Sequence, residues 1–507
     1  MTEDAHNYLK KILLSPVYDV AVKSDLSFLP KLSQELGNEI WLKREDQQPV
    51  KSFKLRGAYS RIAALSKAQQ DAGVVTASAG NHAQGVAYAA NKKGIHATIV
   101  MPETTPDIKV DAVVRFGGDY VNIVLHGTSF DQASAKSREL SQERGLTLVP
   151  PFDDPDVIAG QGTIAREFLE QNPHVDTIFI AVGGGGLAAG MAVYIKQLKP
   201  EIKLIAVESE ESACLQAALD AGEPVTLPKV GIFADGVAVK TIGTEPFRLC
   251  ERYLDGLITV TNDEICTAIK DIFDDTRVIA EPAGAMSVAA IRKYVAENKV
   301  SGNVLGGVLC GANTNFHTLR YVSERCELGE QKEAIFGVPL PEKQGEFRRF
   351  CKALGGRIIT EFNYRQSDAN NANVFVGVKL KGGSDEYQQL LTSLENKDYS
   401  PVDLSKNELS KLHVRHMIGG KITNTETVFT FEFPEYPGAL MAFLDTLGEQ
   451  FNISLFHYRN HGAASGLVMV GFELKSTQQE EFDHHLNSLG YRYEEVTDNP
   501  AYQMFLR

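Results

Sequence analysis

Between about residues 40 and 315, short apolar runs rich in β-branched residues alternate with segments of helical periodicity, and this alternation constrains the fold more than any other feature. The runs with strand character are 73–78, 96–101, 119–125, 176–182, 203–208, 257–260 and 306–311. Helical patterns lie between them, for example at 130–145 and 263–277. Strands that alternate with helices build a mainly parallel sheet, and ligands then bind beyond the carboxyl ends of the strands. We therefore predict an α/β domain with its site at those strand ends.

The chain after about residue 330 contains one pattern twice. The segment 340–365 is echoed by 433–459, and 374–380 is echoed by 467–474. Each copy predicts the order strand, helix, strand, strand, helix, strand, which is typical of a ferredoxin-like unit. The second half is therefore predicted to be a duplicated domain.

Length and composition indicate a soluble chain of several domains. At 507 residues it is too long for one core, because a domain takes about 150 residues. We expect domains at 1–330, 331–410 and 411–507, with 400–425 as the joint between the two copies. A net charge of −14 argues against nucleic acid or an anionic membrane as the main partner. The N-terminus carries acids and no long apolar run, so it does not predict a signal peptide, and we expect a cytoplasmic protein.

Lys54 lies between Phe53 and Leu55 in the stretch SFKLRGA. Burial of an ordinary ammonium group is costly unless the group is paired or chemically modified. Taken alone, the pattern favours a surface lysine whose aliphatic stem covers apolar neighbours. Cys310, which follows the last predicted strand of the first half, is by itself most typical of a small core residue.

Two turns with small residues follow predicted strands. SAGNHAQG brings Asn81 and His82 to the start of a helix, where they suit a bound anion or ring. A helix cap formed by Ser78 or Asn81 explains the same pattern equally well. The glycine run 183–186 stands at another strand-to-helix junction, and four consecutive glycines predict backbone amides that converge on a phosphate.

The glycine run also allows a dinucleotide-binding alternative. Gly184, Gly186 and Ala189 fit the pattern G-x-G-x-x-A, and Glu208 ends the next strand, where an acid would bind a ribose. This alternative leaves SFKLRG and SAGNHAQG without a role. A lysine, an asparagine turn, a phosphate-binding glycine run and a polar residue after a late strand fit pyridoxal 5′-phosphate better, because a lysine bound to its aldehyde no longer carries an ordinary ammonium.

The motifs SFKLRGA, SAGNHAQG, GGGGLAAG, AEPAGA and GANTNFH together resemble the threonine dehydratases of the tryptophan synthase β-type class of pyridoxal phosphate enzymes. With the duplicated second half, the chain is similar to the biosynthetic, allosteric members of that family from about residue 15 to its end. The resemblance implies an α/β catalytic domain of fold type II with two open twisted sheets. It also implies an α+β regulatory domain made of two ferredoxin-like, ACT-like subdomains, and a homotetramer.

The resemblance gives each motif a role. Lys54 would form the Schiff base with the cofactor and would take the α-proton of the substrate. Asn81 would bind the ring hydroxyl, and Cys310, where relatives often have serine, would face the ring nitrogen. The phosphate would be bound by the amides of Gly183, Gly184, Gly185, Gly186 and Leu187. The substrate carboxylate would be bound by Ser78, Ala79, Gly80, Asn81 and His82.

The implied reaction is dehydration and deamination of L-threonine to 2-oxobutanoate and ammonia, the first step of isoleucine biosynthesis, with L-serine reacting more slowly. Serine racemases of this fold carry a second base, a serine, where this chain has Ala79, so we expect little racemisation. Their divalent-cation ligands follow an acid in a VE turn. Here Glu208 is followed by Ser212 and Cys214, so we expect no equivalent metal site.

By the same resemblance, the two repeats sense branched-chain amino acids, so that isoleucine would inhibit the enzyme and valine would relieve the inhibition. The repeated pairs Tyr364–Arg365 and Tyr458–Arg459 are candidates for contact with the effector or for transmission of its signal. Tyrosines that pack in the core and arginines that face solvent would explain these pairs equally well.

Overall fold

The computed structural model of the chain describes residues 3–231, 233–316, 318–329, 332–341, 343, 345–366, 371–405, 407, 426–434, 439–447, 451–459, 465–474, 478–489, 493–498 and 502. They divide into two compact units, Met1–Cys326 and Glu327–Arg507, each with its own apolar core. Residues 408–425, most of the expected joint, lie outside the described residues. None of the helices described in either unit combines the length and apolar content that a membrane crossing requires.

The first unit alternates strands and helices along the chain. Its strands are β1 Leu26–Phe28, β2 Glu39–Arg44, β3 Val74–Ala77, β4 Ala97–Met101, β5 Val121–Leu125, β6 Thr147–Leu148, β7 Thr177–Ala181, β8 Lys203–Ser209, β9 Gly256–Val260 and β10 Val304–Leu309. Its helices are α1 Glu3–Leu14, α2 Pro30–Leu36, α3 Lys54–Ala63, α4 Lys67–Ala72, α5 Asn81–Lys93, α6 Asp107–Gly117, α7 Phe130–Arg144, α8 Pro155–Gln171, α9 Gly186–Leu198, α10 Cys214–Ala221, α11 Thr244–Tyr253, α12 Asn262–Thr276, α13 Pro282–Asn298 and α14 Thr318–Gly329.

Two open sheets organise this unit. The larger has the strand order β1-β2-β10-β7-β8-β9, and its neighbours are parallel except for β1 and β2. The smaller has the order β5-β4-β3-β6 and is parallel throughout. β3 and β7 are fully buried, as is typical of parallel strands covered by helices on both faces. The prediction of a mainly parallel α/β domain is confirmed.

The strand β2 was not predicted, because Lys43 and Arg44 interrupt its apolar pattern. Lys43 is nevertheless fully buried, and its Nζ lies 2.7 Å from Glu167 Oε2 and donates to Gln171 Oε1 at 2.8 Å. A buried charge is tolerated when it is paired and hydrogen-bonded. A buried, paired charge therefore breaks the apolar pattern by which a core strand is predicted from sequence.

The second unit consists of two copies of the order strand, helix, strand, strand, helix, strand, as predicted. The first copy contains β11 Glu333–Pro341, α15 Glu346–Ala353, β12 Ile359–Gln366, β13 Asn371–Lys379, α16 Gly383–Glu395 and β14 Val402–Asp403. The second contains β15 Glu426–Pro434, α17 Ala439–Leu447, β16 Asn452–Arg459, β17 Ser465–Glu473, α18 Gln479–Leu489 and β18 Tyr493–Glu495. Together they form one eight-stranded sheet of order β14-β11-β13-β12-β16-β17-β15-β18.

The two copies join through equivalent strands. β12 pairs antiparallel with β16, and Asn363 lies opposite His457, its counterpart in the repeat. On either side of that pair, Tyr364 faces Phe456 and Phe362 faces Tyr458. Phe456 is the counterpart of Phe362 and Tyr458 is the counterpart of Tyr364, so the pairing is symmetric about Asn363 and His457.

Each copy also carries the same irregularity. The pairing register shifts at Thr360 in β12 and at Ser454 in β16, opposite Gly377 and Gly471. The hydroxyl of Thr360 donates to Glu333, and the hydroxyl of Ser454 donates to Glu426. A β-bulge leaves one residue without a ladder partner, and here its side chain is held by a carboxylate from the first strand of the same copy.

Candidate active site

Lys54 and Cys310 are brought together by a short backbone pairing. β2 and β10 are parallel neighbours, so the segments that follow them leave the same edge of the sheet. Beyond that edge Ser52 and Gly311 form an isolated antiparallel bridge. Phe53 donates its N–H to Cys310 O at 3.1 Å, and Ala312 donates its N–H to Lys51 O at 2.9 Å. The first residue of α3 therefore stands beside the end of β10.

The Lys54 side chain is half-buried and turned toward backbone. Its Nζ donates to Pro151 O at 3.2 Å. Burial disfavours the ammonium form and lowers the pKa of Lys54 to about 8, despite the opposing effect of Cys310 and Glu281. Compared with an ordinary lysine, an amine of this pKa has a much larger neutral fraction near physiological pH, and the neutral amine is the nucleophile and base.

A buried ionic network holds the helix that begins with Lys54. Arg56 in α3 donates to Glu45 through Nε at 2.8 Å and to Glu167 in α8 through Nη1 at 2.6 Å. Lys43 binds Glu167 as well, and Tyr18 donates its hydroxyl to Glu167 at 2.9 Å. Burial raises the pKa of Glu167, but Arg56 and Lys43 outweigh that effect and hold it below its usual range. Two cations and two carboxylates thus fix β2, α3 and α8 together.

Asn81 begins α5, directly after β3 and its turn. Its Nδ2 donates to Glu281 Oε1 at 2.7 Å, and its Oδ1 accepts from Asn313 Nδ2 at 2.7 Å. Glu281 precedes α13, and Asn313 follows β10. Burial, together with Asp235, raises the pKa of Glu281 to about 7, although the bonds from Asn313 and Asn81 oppose the shift.

The rest of the SAGNH turn presents backbone rather than side chains. Ser78 Oγ accepts the N–H groups of Gly80 and Ala83, each at 3.3 Å, so the hydroxyl shapes the turn. The imidazole of His82 is buried, with Nε2 2.9 Å from Val149 O. Burial, with the nearby charge of Lys54, lowers the pKa of His82 to about 3 and keeps the ring neutral. The N–H groups of Asn81 and His82, the first two of α5, have no acceptor within the helix and suit a carboxylate.

The glycine run 183–186 connects β7 to α9. Gly185 has a φ of 89°, a left-handed conformation that glycine adopts without strain. A Cβ on Gly183 would lie 2.9 Å from Val237 Cα, and one on Gly184 would enter the Phe152 ring. Because side chains do not fit, this segment offers only backbone, and the first N–H groups of α9 have no partner within the helix.

Cys310 is buried at the end of β10. Its Sγ lies 3.6 Å from Val308 O. Burial, together with Glu281, raises the pKa of its thiol far above the usual range. The thiol is therefore neutral at physiological pH.

Both carboxylate oxygens of Glu208 already bind backbone N–H groups, so this residue does not serve as the ribose-binding acid of the dinucleotide alternative. Its Oε1 accepts the N–H of Leu215 at 2.7 Å and its Oε2 accepts the N–H of Gln216 at 2.8 Å, so it caps α10. Desolvation raises its pKa to about 7. In the part of the chain that the structure describes, no three His, Cys, Asp or Glu residues are grouped as metal ligands.

Comparison with known proteins identifies the class. The family described as pyridoxal-phosphate dependent enzyme matches residues 20–311. The residues at the site fit that cofactor. They are Lys54 with its lowered pKa, the amide of Asn81, the glycine run 183–186 at the start of α9 and the neutral thiol of Cys310. The predicted cofactor is thus confirmed for the family, and the fold and site define a pyridoxal phosphate-dependent enzyme.

A second family, the C-terminal regulatory domain of threonine dehydratase, matches residues 324–414 and 419–506. The biosynthetic L-threonine dehydratase IlvA of Escherichia coli K12 is 57% identical over 501 residues, which are 98% of this chain and 97% of that protein. The mitochondrial threonine dehydratase of Saccharomyces cerevisiae is 45% identical over 523 residues, 100% and 90% of the two chains. The chain therefore belongs to the biosynthetic threonine dehydratases.

A solved structure is similar to about two thirds of the chain. It is the processed form of threonine deaminase isoform 2 from Solanum lycopersicum, with 47% identity and a TM-score of 0.62, and the match covers 64% of this chain and 94% of that one. The family, the fold class with two sheets and a regulatory domain, and the cofactor predicted from the motifs are all confirmed.

Sequence reasoning missed Glu281, Asn313 and Pro151. The first two lie within AEPAGA and GANTNFH, motifs that identified the family without a role for each residue. Asn313 follows the strand β10, and an amide beyond the carboxyl end of a parallel strand is a signal for ligand binding. Glu281 lies between the helices α12 and α13, so its only signal was an acid directly before a helix. Pro151 acts through its carbonyl oxygen, and a backbone contact leaves no signal in residue type.

Proposed function

We propose that the protein is a threonine ammonia-lyase, which converts L-threonine to 2-oxobutanoate and ammonia in the first step of isoleucine biosynthesis and acts more slowly on L-serine. The observation that carries this proposal is the position of Lys54, a lysine of lowered pKa beside Cys310 and near the Asn81 turn. The identity of 57% to a biosynthetic L-threonine dehydratase supports the choice of substrate.

The motifs divide the binding of cofactor and substrate among them in this proposal. Bound pyridoxal phosphate supplies an electron sink for the substrate's α-carbon. The phosphate is bound by backbone amides of Gly183, Gly184, Gly185, Gly186 and Leu187. The substrate carboxylate is bound at the start of α5 by Ser78, Ala79, Gly80, Asn81 and His82. Asn81 also binds the ring hydroxyl, and Cys310 faces the ring nitrogen.

Proton transfer is assigned to Lys54. Its amine takes the α-proton, because a pKa of about 8 leaves a useful neutral fraction near physiological pH. The leaving hydroxide departs from the β-carbon. The position of a second base is occupied by Ala79, a residue without an ionisable group, which favours elimination over racemisation.

The second unit is proposed to bind isoleucine as inhibitor and valine as the ligand that relieves inhibition. A shallow pocket, open to solvent, lies between the two copies of the repeat. It combines apolar side chains with charged ones, as a branched amino acid requires. The lining includes Leu340, Phe347, Leu444, Ile453, Lys343, Glu346 and Arg348.

Tyr364 lines the same pocket, and its ring centroid lies 5.0 Å from that of Phe347. Tyr364 and its repeat counterpart Tyr458 are both buried. The side chains of Arg365 and Arg459 lie outside the described part of the structure. We propose that all four residues serve effector binding or its transmission, with Tyr364 in direct contact.

The deciding experiment measures 2-oxobutanoate from threonine and pyruvate from serine, with and without isoleucine and valine. Threonine should be the better substrate, and isoleucine should inhibit in a manner that valine reverses. Equal or better turnover of serine would overturn the substrate assignment. Light scattering tests the expected homotetramer, and cell fractionation tests the expected cytoplasmic location.

Removal of the second unit tests the regulatory proposal separately. A chain ending at Gly329 keeps α14, which is held by Arg325 Nη1 to Asp263 Oδ1 at 3.0 Å and by Thr267 Oγ1 to Cys326 O at 3.0 Å. It should retain dehydration and lose the response to isoleucine. Inhibition that persists in this chain would place the effector elsewhere. In the full chain, Tyr364→Ala should weaken inhibition without a change in threonine KM.

A further inference from the structure

Glu281 is a buried carboxylate with both oxygens engaged at the active site. Its Oε1 accepts from Asn81 Nδ2 at 2.7 Å, and its Oε2 accepts the backbone N–H of Asn313 at 3.0 Å. It lies against Gly311, where an added Cβ would come within 2.6 Å of Oε1. Gly311 follows Cys310 and bridges to Ser52, so the carboxylate lies close to the segment that precedes Lys54.

These contacts settle which way the Asn81 amide faces. Both N–H groups of Asn313 Nδ2 are directed to acceptors, Asn81 Oδ1 at 2.7 Å and Val50 O at 2.8 Å. Asn81 Nδ2 gives one N–H to Glu281, and one N–H remains. In the reversed orientation Asn81 would set its NH₂ against the NH₂ of Asn313, which Val50 O holds in place, and this contact is repulsive. It would also set its oxygen against Glu281, which is repulsive when Glu281 is ionised.

We propose that Glu281 is a positioning residue that makes Asn81 present an N–H, and not its carbonyl oxygen, to the ring oxygen of the cofactor. The proposal rests on the proposed function, because it places Asn81 at that oxygen. A ring oxygen that accepts an N–H keeps its negative charge, whereas one that meets a carbonyl oxygen must carry a proton. Glu281 thereby sets the charge state of the cofactor without touching the substrate.

The same bonds also join the two sheets of the first unit. Asn81 follows β3 of the smaller sheet, whereas Asn313 follows β10 of the larger sheet and Glu281 precedes α13. A purely structural role for Glu281 would therefore lower stability and leave the cofactor's electronic state unchanged. An absorbance measurement separates the two roles, because an anionic ring oxygen gives a visible band and a protonated one gives a near-ultraviolet band.

The test is Glu281→Gln in the full holoenzyme. Glutamine has the same shape, but an NH₂ group replaces one of the two carboxylate oxygens. Since Asn81 and Asn313 donate to different oxygens of Glu281, glutamine cannot accept from both. We expect intensity to move from the visible band to the near-ultraviolet band, with cofactor lost more readily on dialysis. We expect kcat to fall about 10- to 100-fold with KM within about twofold, since a hydrogen bond to a charged group is lost.

Three further variants make the outcome decisive. Asn313→Ala removes the amide that binds Asn81 Oδ1 and should shift the bands in the same direction, which gives a second route if Glu281→Gln does not fold. Glu208→Gln is the matched control, because it removes an equally buried acid that also accepts two N–H groups, and it should keep the wild-type band ratio. Asn81→Ala tests the premise.

An unchanged band ratio in both Glu281→Gln and Asn313→Ala, together with a shift in Asn81→Ala, would overturn the proposal and leave Asn81 at the ring oxygen. An unchanged ratio in Asn81→Ala would remove Asn81 from the ring oxygen, and both assignments would then fail. A shift in Glu208→Gln as large as that in Glu281→Gln would also overturn the proposal, because any lost buried acid would then suffice.

Discussion

Phe53 donates its backbone N–H to the carbonyl oxygen of Cys310 at 3.1 Å, so the residue before Lys54, the proposed Schiff-base lysine, is tied to the residue proposed to face the cofactor's ring nitrogen. The two positions are separated by most of the catalytic unit in sequence. Their distance apart is set by a backbone bridge at Ser52 and Gly311 and does not depend on either side chain. Substitutions at position 54 or 310 can therefore be interpreted as changes of chemistry within a preserved frame.

Replacement of Lys54 by alanine should lower threonine turnover by at least about 10³-fold, because both the covalent attachment and the base are lost. The measurement is 2-oxobutanoate formation, with circular dichroism to confirm the fold. Lys51→Ala is the control, since Lys51 is exposed and contributes its backbone to the same bridge. Substantial dehydration by Lys54→Ala would remove Lys54 from the mechanism.

Uptake of pyridoxal phosphate by the cofactor-free protein should depend on pH with a midpoint near 8. Only the neutral amine attacks an aldehyde, and burial lowers the pKa of Lys54 to about 8 from 10.5. The rate should therefore rise with pH up to about 8 and then level off. A stopped-flow absorbance series measures it, and a rate that keeps rising toward pH 10 would show an ordinary exposed lysine.

The buried ionic network should be costly to break. Glu167→Gln leaves Lys43 and Arg56 without one of their carboxylates and should reduce the free energy of unfolding by about 3–5 kcal/mol. Glu170→Gln, one helical turn further along α8, breaks only exposed pairs with Lys23 and Arg166 and should cost at most about 1 kcal/mol. Urea denaturation measures both.

The pH dependence of that difference has a definite sign. The pKa of Glu167 is held below its ordinary value of 4.5, so its ionised form stabilises the folded state above that pH. The stability difference between wild type and Glu167→Gln should be full near neutral pH and shrink as the pH falls below 4.5. A difference that grows on acidification would contradict the assignment.

Gly377→Ala should destabilise the second unit by about 1–3 kcal/mol, because the added methyl group meets Thr360 at the bulge. Gly471→Ala should have a similar effect, since a Cβ there would lie 3.0 Å from Ser454 Oγ and 2.7 Å from Glu426 Oε1. The control is Gly337→Ala in β11, whose Cβ would meet its nearest atom at 3.4 Å. Calorimetry of the full chain, compared with the chain ending at Gly329, identifies the affected transition.

The alternation of strands and helices, the duplication and the family were all predictable from sequence. They rest on local periodicity and on short motifs, which a single chain displays directly. The predicted strand at 176–182 is β7, and the predicted helix at 263–277 is α12 within a residue at each end.

The parts that escaped prediction depend on contacts distant in sequence. Lys43 looks unsuited to a core strand until Glu167, far along the chain, is seen beside it. Glu281 acquires a role only because α13 begins next to Asn81. Residue type signals that a charge is present, but only the fold shows what compensates it.

The pairing of β12 with β16 about Asn363 and His457 has a consequence for how the regulatory unit arose and how it holds together. Equivalent strands that pair about an approximate two-fold axis form a self-complementary interface, which is the kind of interface found in two-fold symmetric homodimers. Here the two halves are covalently fused, so their association is intramolecular and proceeds as if at an effective concentration on the order of millimolar. The interface between the halves therefore persists at any dilution of the enzyme.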